Sequence, residues 1–196
     1  MHARGFLNLL FFYSVWVGSC LVYPVVIFAA AYGYLYPLYI LLGYYGYRWL
    51  RPATTWSLFR KAICVDGRPY CRTTQVVLTD GACVPKPREK VITTVAPHGI
   101  LTLGWSLLNS CELYLNSETT FLVAPAMMKL PFIGDIMRWT NCSSCDPANM
   151  ARVLGTGVNV ALIPGGFQEA TIYKRGKYRV FLKSKKGFIK VLLSVL

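Results

Sequence analysis

Residues 91–99 read VITTVAPHG, and residues 159–169 read NVALIPGGFQE. Each stretch begins with an apolar, β-branched run that is typical of a buried strand and continues directly into a loop rich in proline and glycine. The same alternation continues between them, with a strand expected at residues 120–124 and helices at residues 100–110, 131–140 and 147–155. Strands that alternate with helices predict an α/β fold with a mixed, largely parallel sheet and flanking helices.

The two loops are expected to carry the chemistry, because sheets of this kind bind ligands at the carboxyl ends of their strands. His98 is the only histidine besides His2, so any imidazole base must be His98. Where a strand opens into a helix, the helical N–H groups favour a neutral imidazole. A turn histidine between Pro97 and Gly99 is the alternative.

The second loop suggests an anion-binding backbone. Pro164, Gly165 and Gly166 allow N–H groups to approach a developing oxyanion, because glycine has no Cβ; a simple tight turn is the alternative. Glu169 is the only carboxylate after Asp146. We expect it to orient or charge-pair His98, unless it is a surface acid.

The charge balance indicates an anionic partner. The chain has 21 Lys and Arg residues against 8 Asp and Glu, a net charge of +13. Residues 173–190 contain eight basic residues and no acid, and they can contact ligand phosphates, anionic headgroups or only solvent. No nucleic-acid partner is expected, because a long uncharged apolar segment does not belong on a nucleic-acid module.

That apolar segment lies between Arg4 and Arg48, which enclose no charged residue. About 20 apolar residues cross a bilayer as a helix, so the segment is roughly two spans long. We predict a membrane anchor at residues 1–47, with one or two spans, and a hairpin bent at its internal proline and glycine residues. A cleaved signal peptide is the alternative, but the apolar run is too long for one. A connector at residues 48–89, with one strand at residues 74–78, then leads to a domain at residues 90–196.

The basic residues that follow the segment outnumber Arg4 before it, which places the domain in the cytosol by the positive-inside bias. The seven cysteines indicate a reducing compartment, although a secreted cysteine-bearing domain stays open. The pair Cys142 and Cys145 lacks two further ligands, so we predict no metal site. The sequence contains no serine-hydrolase elbow, phosphate-binding Walker loop or paired carboxylates.

Three motifs in order resemble the type-two diacylglycerol acyltransferase family, which includes monoacylglycerol and wax-ester acyltransferases. They are APHG at residues 96–99, PGGFQE at residues 164–169 and KSKKGF at residues 183–188. The resemblance covers about residues 90–190 by motif. Family members also carry an N-terminal hydrophobic segment, as this chain does. It implies a glycerolipid-acyltransferase-like fold behind a membrane hairpin.

The resemblance implies transfer of a fatty acyl group from acyl-CoA to diacylglycerol, with His98 and Glu169 as catalytic residues. The alternatives are that the acceptor is monoacylglycerol or a fatty alcohol, or that the protein is a non-catalytic lipid-binding paralogue. The substrate-binding residues implied are Pro97, Gly99, Pro164, Gly165, Gly166, Lys183, Lys185 and Lys186. Membrane lipids are expected partners, no cofactor or metal is expected, and a homo-oligomer stays open. The expected location is the endoplasmic reticulum membrane, with lipid droplets as a further site.

The chain departs from the family at Ala96, where many animal and fungal members have a second histidine and plant members a glutamate. It also has Leu103 where the wider glycerolipid acyltransferase superfamily has an aspartate, so Glu169 is the candidate that orients the imidazole. The family continues well past the last motif. We therefore expect a catalytic domain that is incomplete at its C-terminus, with residues 191–196 leading into a further strand and with little activity on its own.

Overall fold

The computed structural model describes residues 3–63, 77–99, 102–110, 114 and 116–195. Four strands form one sheet in the order β1-β4-β2-β3, and every neighbouring pair is parallel. The strands are β1 (Ile92–Thr94), β2 (Thr119–Val123), β3 (Cys142–Ser144) and β4 (Asn159–Leu162). The predicted α/β class is confirmed, and the described sheet is wholly parallel rather than mixed.

The described helices precede the sheet or alternate with its strands. They are α1 (Ala3–Ala31), α2 (Tyr36–Leu50), α3 (Ser57–Ile63), α4 (Leu103–Ser110), α5 (Pro125–Lys129), α6 (Ile133–Trp139), α7 (Pro147–Gly155), α8 (Gly166–Thr171) and α9 (Gly187–Val195). Helix α7 begins as its sequence predicts, because the Asp146 side chain caps it by accepting a hydrogen bond from the Asn149 N–H at 2.9 Å.

Both faces of the sheet are buried, which explains why the strands are apolar at successive positions. Phe121 and Ala161 belong to a cluster that also receives α1, through Phe12, Val15 and Trp16. Leu122 and Val160 point to the opposite face and pack in a second cluster with α7 and α9. The period-two alternation along β2 and β4 thus divides the core into two layers around the sheet.

Helices α1 and α2 are joined by a short turn and pack against each other as a helical hairpin. The Tyr23 and Tyr45 hydroxyls are hydrogen-bonded to each other, and the Tyr45 hydroxyl donates to the Lys129 carbonyl at 2.8 Å. Residues 10–31 of α1 are long and apolar enough to cross a membrane, the one stretch among the described helices that is. Helix α2 has 15 residues, fewer than the roughly 20 of a full span.

The hairpin is attached to the α/β unit by a buried polar cluster at the start of α6. The Arg48 Nε atom lies 2.6 Å from Asp135 Oδ1, and the Tyr44 hydroxyl donates to Asp135 Oδ2 at 2.7 Å. The Phe132 N–H in turn donates to the Tyr44 hydroxyl at 3.0 Å. The ion pair and the two hydrogen bonds offset the cost of burying the Asp135 carboxylate, and they fix the end of α2 against the domain.

The interpretation of residues 48–89 as an irregular connector with one strand needs a correction. Residues 48–89 contain helix α3, because Trp56 and Phe59 pack their rings against Trp139. Residues 191–195 belong to helix α9, in which Phe188, Val191 and Val195 recur at helical spacing and pack on the core. A strand was also expected at residues 74–78. Residues 74–76 lie outside the described part of the chain, and Val77 and Leu78 are not in a strand.

Candidate active site

The site forms where β1 and β4 end side by side. The register pairs Thr94 with Leu162, and the Val95 N–H donates to the Leu162 carbonyl at 2.9 Å, one residue beyond the paired strands. The loops that follow therefore begin next to each other. Gly99 and Gly166 have φ values of +66° and +52°, which side chains rarely adopt, so glycine suits both turns.

The His98 imidazole is buried between these loops, with 4% of its side chain exposed. Its Nε2 atom lies 2.9 Å from the Gly166 carbonyl oxygen. A carbonyl oxygen only accepts hydrogen bonds, so the nitrogen that faces it carries the proton in the neutral ring. Nδ1 is also buried and has no hydrogen-bond partner among the described residues.

The Glu169 carboxylate lies beneath the histidine with 1% of its side chain exposed. Oε1 accepts the His98 backbone N–H at 2.9 Å, and Oε2 accepts the Phe181 backbone N–H at 3.2 Å. Oε1 also lies 3.7 Å from His98 Nε2, which is too long for a hydrogen bond but close enough for attraction to an imidazolium. The carboxylate thus holds the backbone of the histidine loop rather than its ring.

Glycine at position 165 allows Glu169 to come this close. A Cβ on Gly165 would lie 2.3 Å from Glu169 Oε2 and 2.6 Å from Glu169 Cβ, nearer than real Cβ atoms approach other atoms. At Gly166, by contrast, an added Cβ meets nothing within 4 Å, and only its positive φ favours glycine. The two neighbouring glycines therefore serve different purposes.

The basic segment that follows α8 reaches the site through its backbone. Phe181 donates its N–H to Glu169, and the Lys185 Nζ atom lies 5.6 Å from the centroid of the Phe181 ring. Lys183 and Lys186 are exposed, whereas Lys185 is half-buried. A basic surface is thereby attached beside the buried histidine and carboxylate.

The structure brings four of the predicted site residues into one cluster: His98, Gly165, Gly166 and Glu169. Pro97, joined to Ala96 by a cis peptide bond, is exposed, and Gly99 and Pro164 flank the cluster along the chain. The sequence did not point to the Gly166 carbonyl or the Phe181 N–H. Both contacts use backbone atoms, which leave no signature in residue type.

One expectation about His98 needs correction. The histidine was expected to open a helix over residues 100–110, but α4 begins at Leu103, and residues 100 and 101 lie outside the described part of the chain. Gly99 adopts a positive φ directly after the histidine, which turns the chain away from helical geometry. The ring instead contacts the first residue of α8.

Cys142, the first residue of the CxxC pair, is part of the hydrophobic core. Burial raises the pKa of its thiol to about 11, so at neutral pH it stays protonated. A protonated thiol is a poor nucleophile and a poor metal ligand. Its location under Thr140 and Asn109 is that of a small core residue.

We expect Glu169→Gln to slow the chemistry of this site about ten- to hundredfold. The amide keeps one acceptor, but its NH₂ group must face the N–H of either His98 or Phe181, and lost hydrogen bonds to a charged group are worth about 1.5–3 kcal/mol. Initial rates should be compared with those of Glu118→Gln, which changes an exposed carboxylate. A wild-type rate for Glu169→Gln would exclude a positioning role for this side chain.

Comparison with known proteins gives one family. A family model described as diacylglycerol acyltransferase matches residues 25–195. Diacylglycerol O-acyltransferase 2 of Dictyostelium discoideum is 28% identical over 115 residues, covering 55% of this chain and 35% of that protein. Acyl-CoA wax alcohol acyltransferase 1 of Mus musculus is 31% identical over 116 residues, with the same two coverages of 55% and 35%.

A longer match covers 162 residues of the human diacylglycerol O-acyltransferase 2-like protein 6, at 26% identity. It includes 74% of this chain and 42% of that relative. The chain thus spans between about a third and two fifths of the length of these three curated relatives. No solved structure matches the chain.

Proposed function

The chain belongs to the diacylglycerol acyltransferase family, and from that premise we propose that it transfers a fatty acyl group from acyl-CoA to the free hydroxyl of diacylglycerol, forming triacylglycerol. The observation that carries the proposal is the buried contact of His98 with Gly166 and Glu169 at the carboxyl ends of two adjacent parallel strands. A buried imidazole held in a fixed orientation is suited to act as a general base.

In the proposed reaction, the His98 imidazole takes the proton from the acceptor hydroxyl as its oxygen attacks the thioester carbonyl carbon. The tetrahedral intermediate then expels the coenzyme A thiolate, which recovers the proton from the imidazolium. One ester bond forms and one thioester bond breaks, with no covalent acyl-enzyme. Neither a metal nor a prosthetic group takes part, and acyl-CoA is a co-substrate.

The neighbouring groups have supporting roles in this proposal. Glu169 positions the histidine loop and stabilises the imidazolium from 3.7 Å. The first N–H groups of α8, next to Gly165 and Gly166, lack acceptors within the helix and can stabilise the oxyanion. Pro97, Gly99 and Pro164 shape the two loops around the substrate.

Binding of the coenzyme is assigned to the basic segment. Lys183, Lys185 and Lys186 closely follow Phe181 along the chain, and the Phe181 N–H contacts the same carboxylate that holds the histidine loop. Their ammonium groups are suited to the phosphates of coenzyme A, because lysine binds phosphate as a point charge. With its phosphates bound to these lysines, acyl-CoA would then extend its thioester group into the site.

An assay with several acceptors tests the proposed substrate. Membranes that contain the protein should be given labelled acyl-CoA with diacylglycerol, monoacylglycerol or fatty alcohol, and the labelled esters should be separated. We expect triacylglycerol to be the main product. A main product from monoacylglycerol or fatty alcohol would correct the acceptor, and the absence of any ester would favour a non-catalytic lipid-binding protein.

We further propose that α1 anchors the protein in the endoplasmic reticulum membrane, with lipid droplets as a second location. Its apolar stretch Leu10–Ala31 supports this, and the basic residues after α2 favour a cytosolic active site. Protease added outside sealed microsomes should therefore digest the α/β unit. Full protection, or a glycan at Asn141 in the sequence Asn141-Cys142-Ser143, would reverse the orientation and remove the supply of cytosolic acyl-CoA.

A further inference from the structure

We infer that Nδ1, rather than Nε2, is the nitrogen of His98 that takes the proton from the acceptor hydroxyl. This inference rests on the proposed function and specifies which atom of the ring acts. It also states where the acceptor must approach, since the two nitrogens lie on different sides of the imidazole.

The protein fixes the proton of the neutral ring on Nε2. The Gly166 carbonyl oxygen lies 2.9 Å from Nε2, a normal hydrogen-bond distance, and it can only accept. Glu169 Oε1 lies 3.7 Å from the same nitrogen, so its negative charge also favours a proton there. An unprotonated Nε2 would direct its lone pair at a carbonyl lone pair and a carboxylate. The tautomer is thus assigned from the acceptors around the ring.

The lone pair of the neutral ring therefore belongs to Nδ1. This atom is buried, and no described residue forms a hydrogen bond with it. A buried acceptor without a partner is uncommon in proteins and costs about 1–3 kcal/mol. The hydroxyl of the acceptor lipid supplies the missing donor, and it does so at the one position where the ring can receive its proton.

The contacts of Nε2 also suit the state that follows proton transfer. When Nδ1 has taken the proton, the ring is an imidazolium whose Nε2–H still donates to Gly166. The Glu169 carboxylate, at 3.7 Å, stabilises the new positive charge without becoming protonated. The ring therefore accepts and returns its proton through Nδ1 without reorganising any contact of Nε2.

The tautomer can be measured without any activity. The chain contains only two histidines, so ¹⁵N-histidine labelling of the His2→Ala protein leaves His98 as the one labelled ring. At a pH well above the usual histidine pKa of about 6.5, long-range ¹H–¹⁵N spectra should show Nε2 protonated and Nδ1 unprotonated. The reverse pattern, or equal populations of the two tautomers, would overturn the inference whether or not the protein transfers acyl groups.

Ring methylation provides a second test, made on the full protein. Incorporation of Nδ1-methylhistidine at position 98 blocks the proposed base and should lower acyl transfer by at least about 10²-fold. Incorporation of Nε2-methylhistidine removes the bond to Gly166 but leaves Nδ1 free, and it should retain at least about ten times more activity than the first protein. Higher activity of the Nδ1-methyl protein would assign the proton to Nε2 instead.

Discussion

His98→Ala is expected to reduce acyl transfer by about 10²- to 10⁴-fold or more, because a positioned general base contributes that much to rate. The imidazole is buried, and the only other histidine of the chain is His2, so no other imidazole is expected to take over its role. Transfer should be measured with labelled acyl-CoA and diacylglycerol in membranes, at equal amounts of wild-type and variant protein.

The variant must be distinguished from one that simply fails to fold. His98 lies in a loop outside both core clusters, so the amount of protein and its membrane insertion should stay near the wild-type values. His2→Ala is the matched control and should keep wild-type transfer. Retained activity in His98→Ala would mean that the protein has a different base or a non-catalytic function.

Gly165→Ala is expected to be the most damaging small substitution at the site. The added methyl group would lie 2.3 Å from Glu169 Oε2, so the carboxylate must move and lose its bonds to the His98 and Phe181 backbones. Overpacking of this kind costs about 1–3 kcal/mol. A displacement of about 1 Å at a reacting group can lower the rate about 10²-fold, and we expect a loss of at least that size.

A second glycine provides the control for this substitution. Gly155 ends helix α7, and a Cβ there meets nothing within 4 Å. Gly155→Ala should therefore leave transfer unchanged and the thermal unfolding midpoint equal or slightly higher, since alanine favours a helix. If Gly165→Ala showed the same behaviour, the close packing of Glu169 against this loop would have no functional importance.

The fold was predictable from the sequence where local patterns and tertiary packing agree. The apolar runs at residues 91–95 and 159–163 contain the strands Ile92–Thr94 and Asn159–Leu162, and Asp146 caps α7 as its sequence indicates. The order of the strands was not predictable, because β1 pairs with β4, the strand that is most distant from it along the chain. That pairing brings the two loops together, so the motifs identified the residues of the site without showing how they meet.

Tertiary contacts explain what residue types alone left open. Residues 191–195 form part of a helix, because Phe188, Val191 and Val195 recur at helical spacing and bury one face against α7. Glu169 was expected to orient or charge-pair His98, and its Oε1 atom lies 3.7 Å from the ring Nε2. Its hydrogen bonds are with backbone N–H groups, and the ring is held by a carbonyl. Residue types alone cannot reveal contacts that the backbone makes.

The central claim is that His98 promotes direct acyl transfer from coenzyme A to a lipid hydroxyl. Its most direct test is to follow free coenzyme A thiol and labelled ester together in a single turnover, with and without diacylglycerol. We predict that thiol is released only when the acceptor is present, in amounts equal to the ester formed, with no label on the protein. A burst of thiol without acceptor, leaving acyl label on the protein, would contradict direct transfer, and no release with any acceptor would contradict the proposed activity.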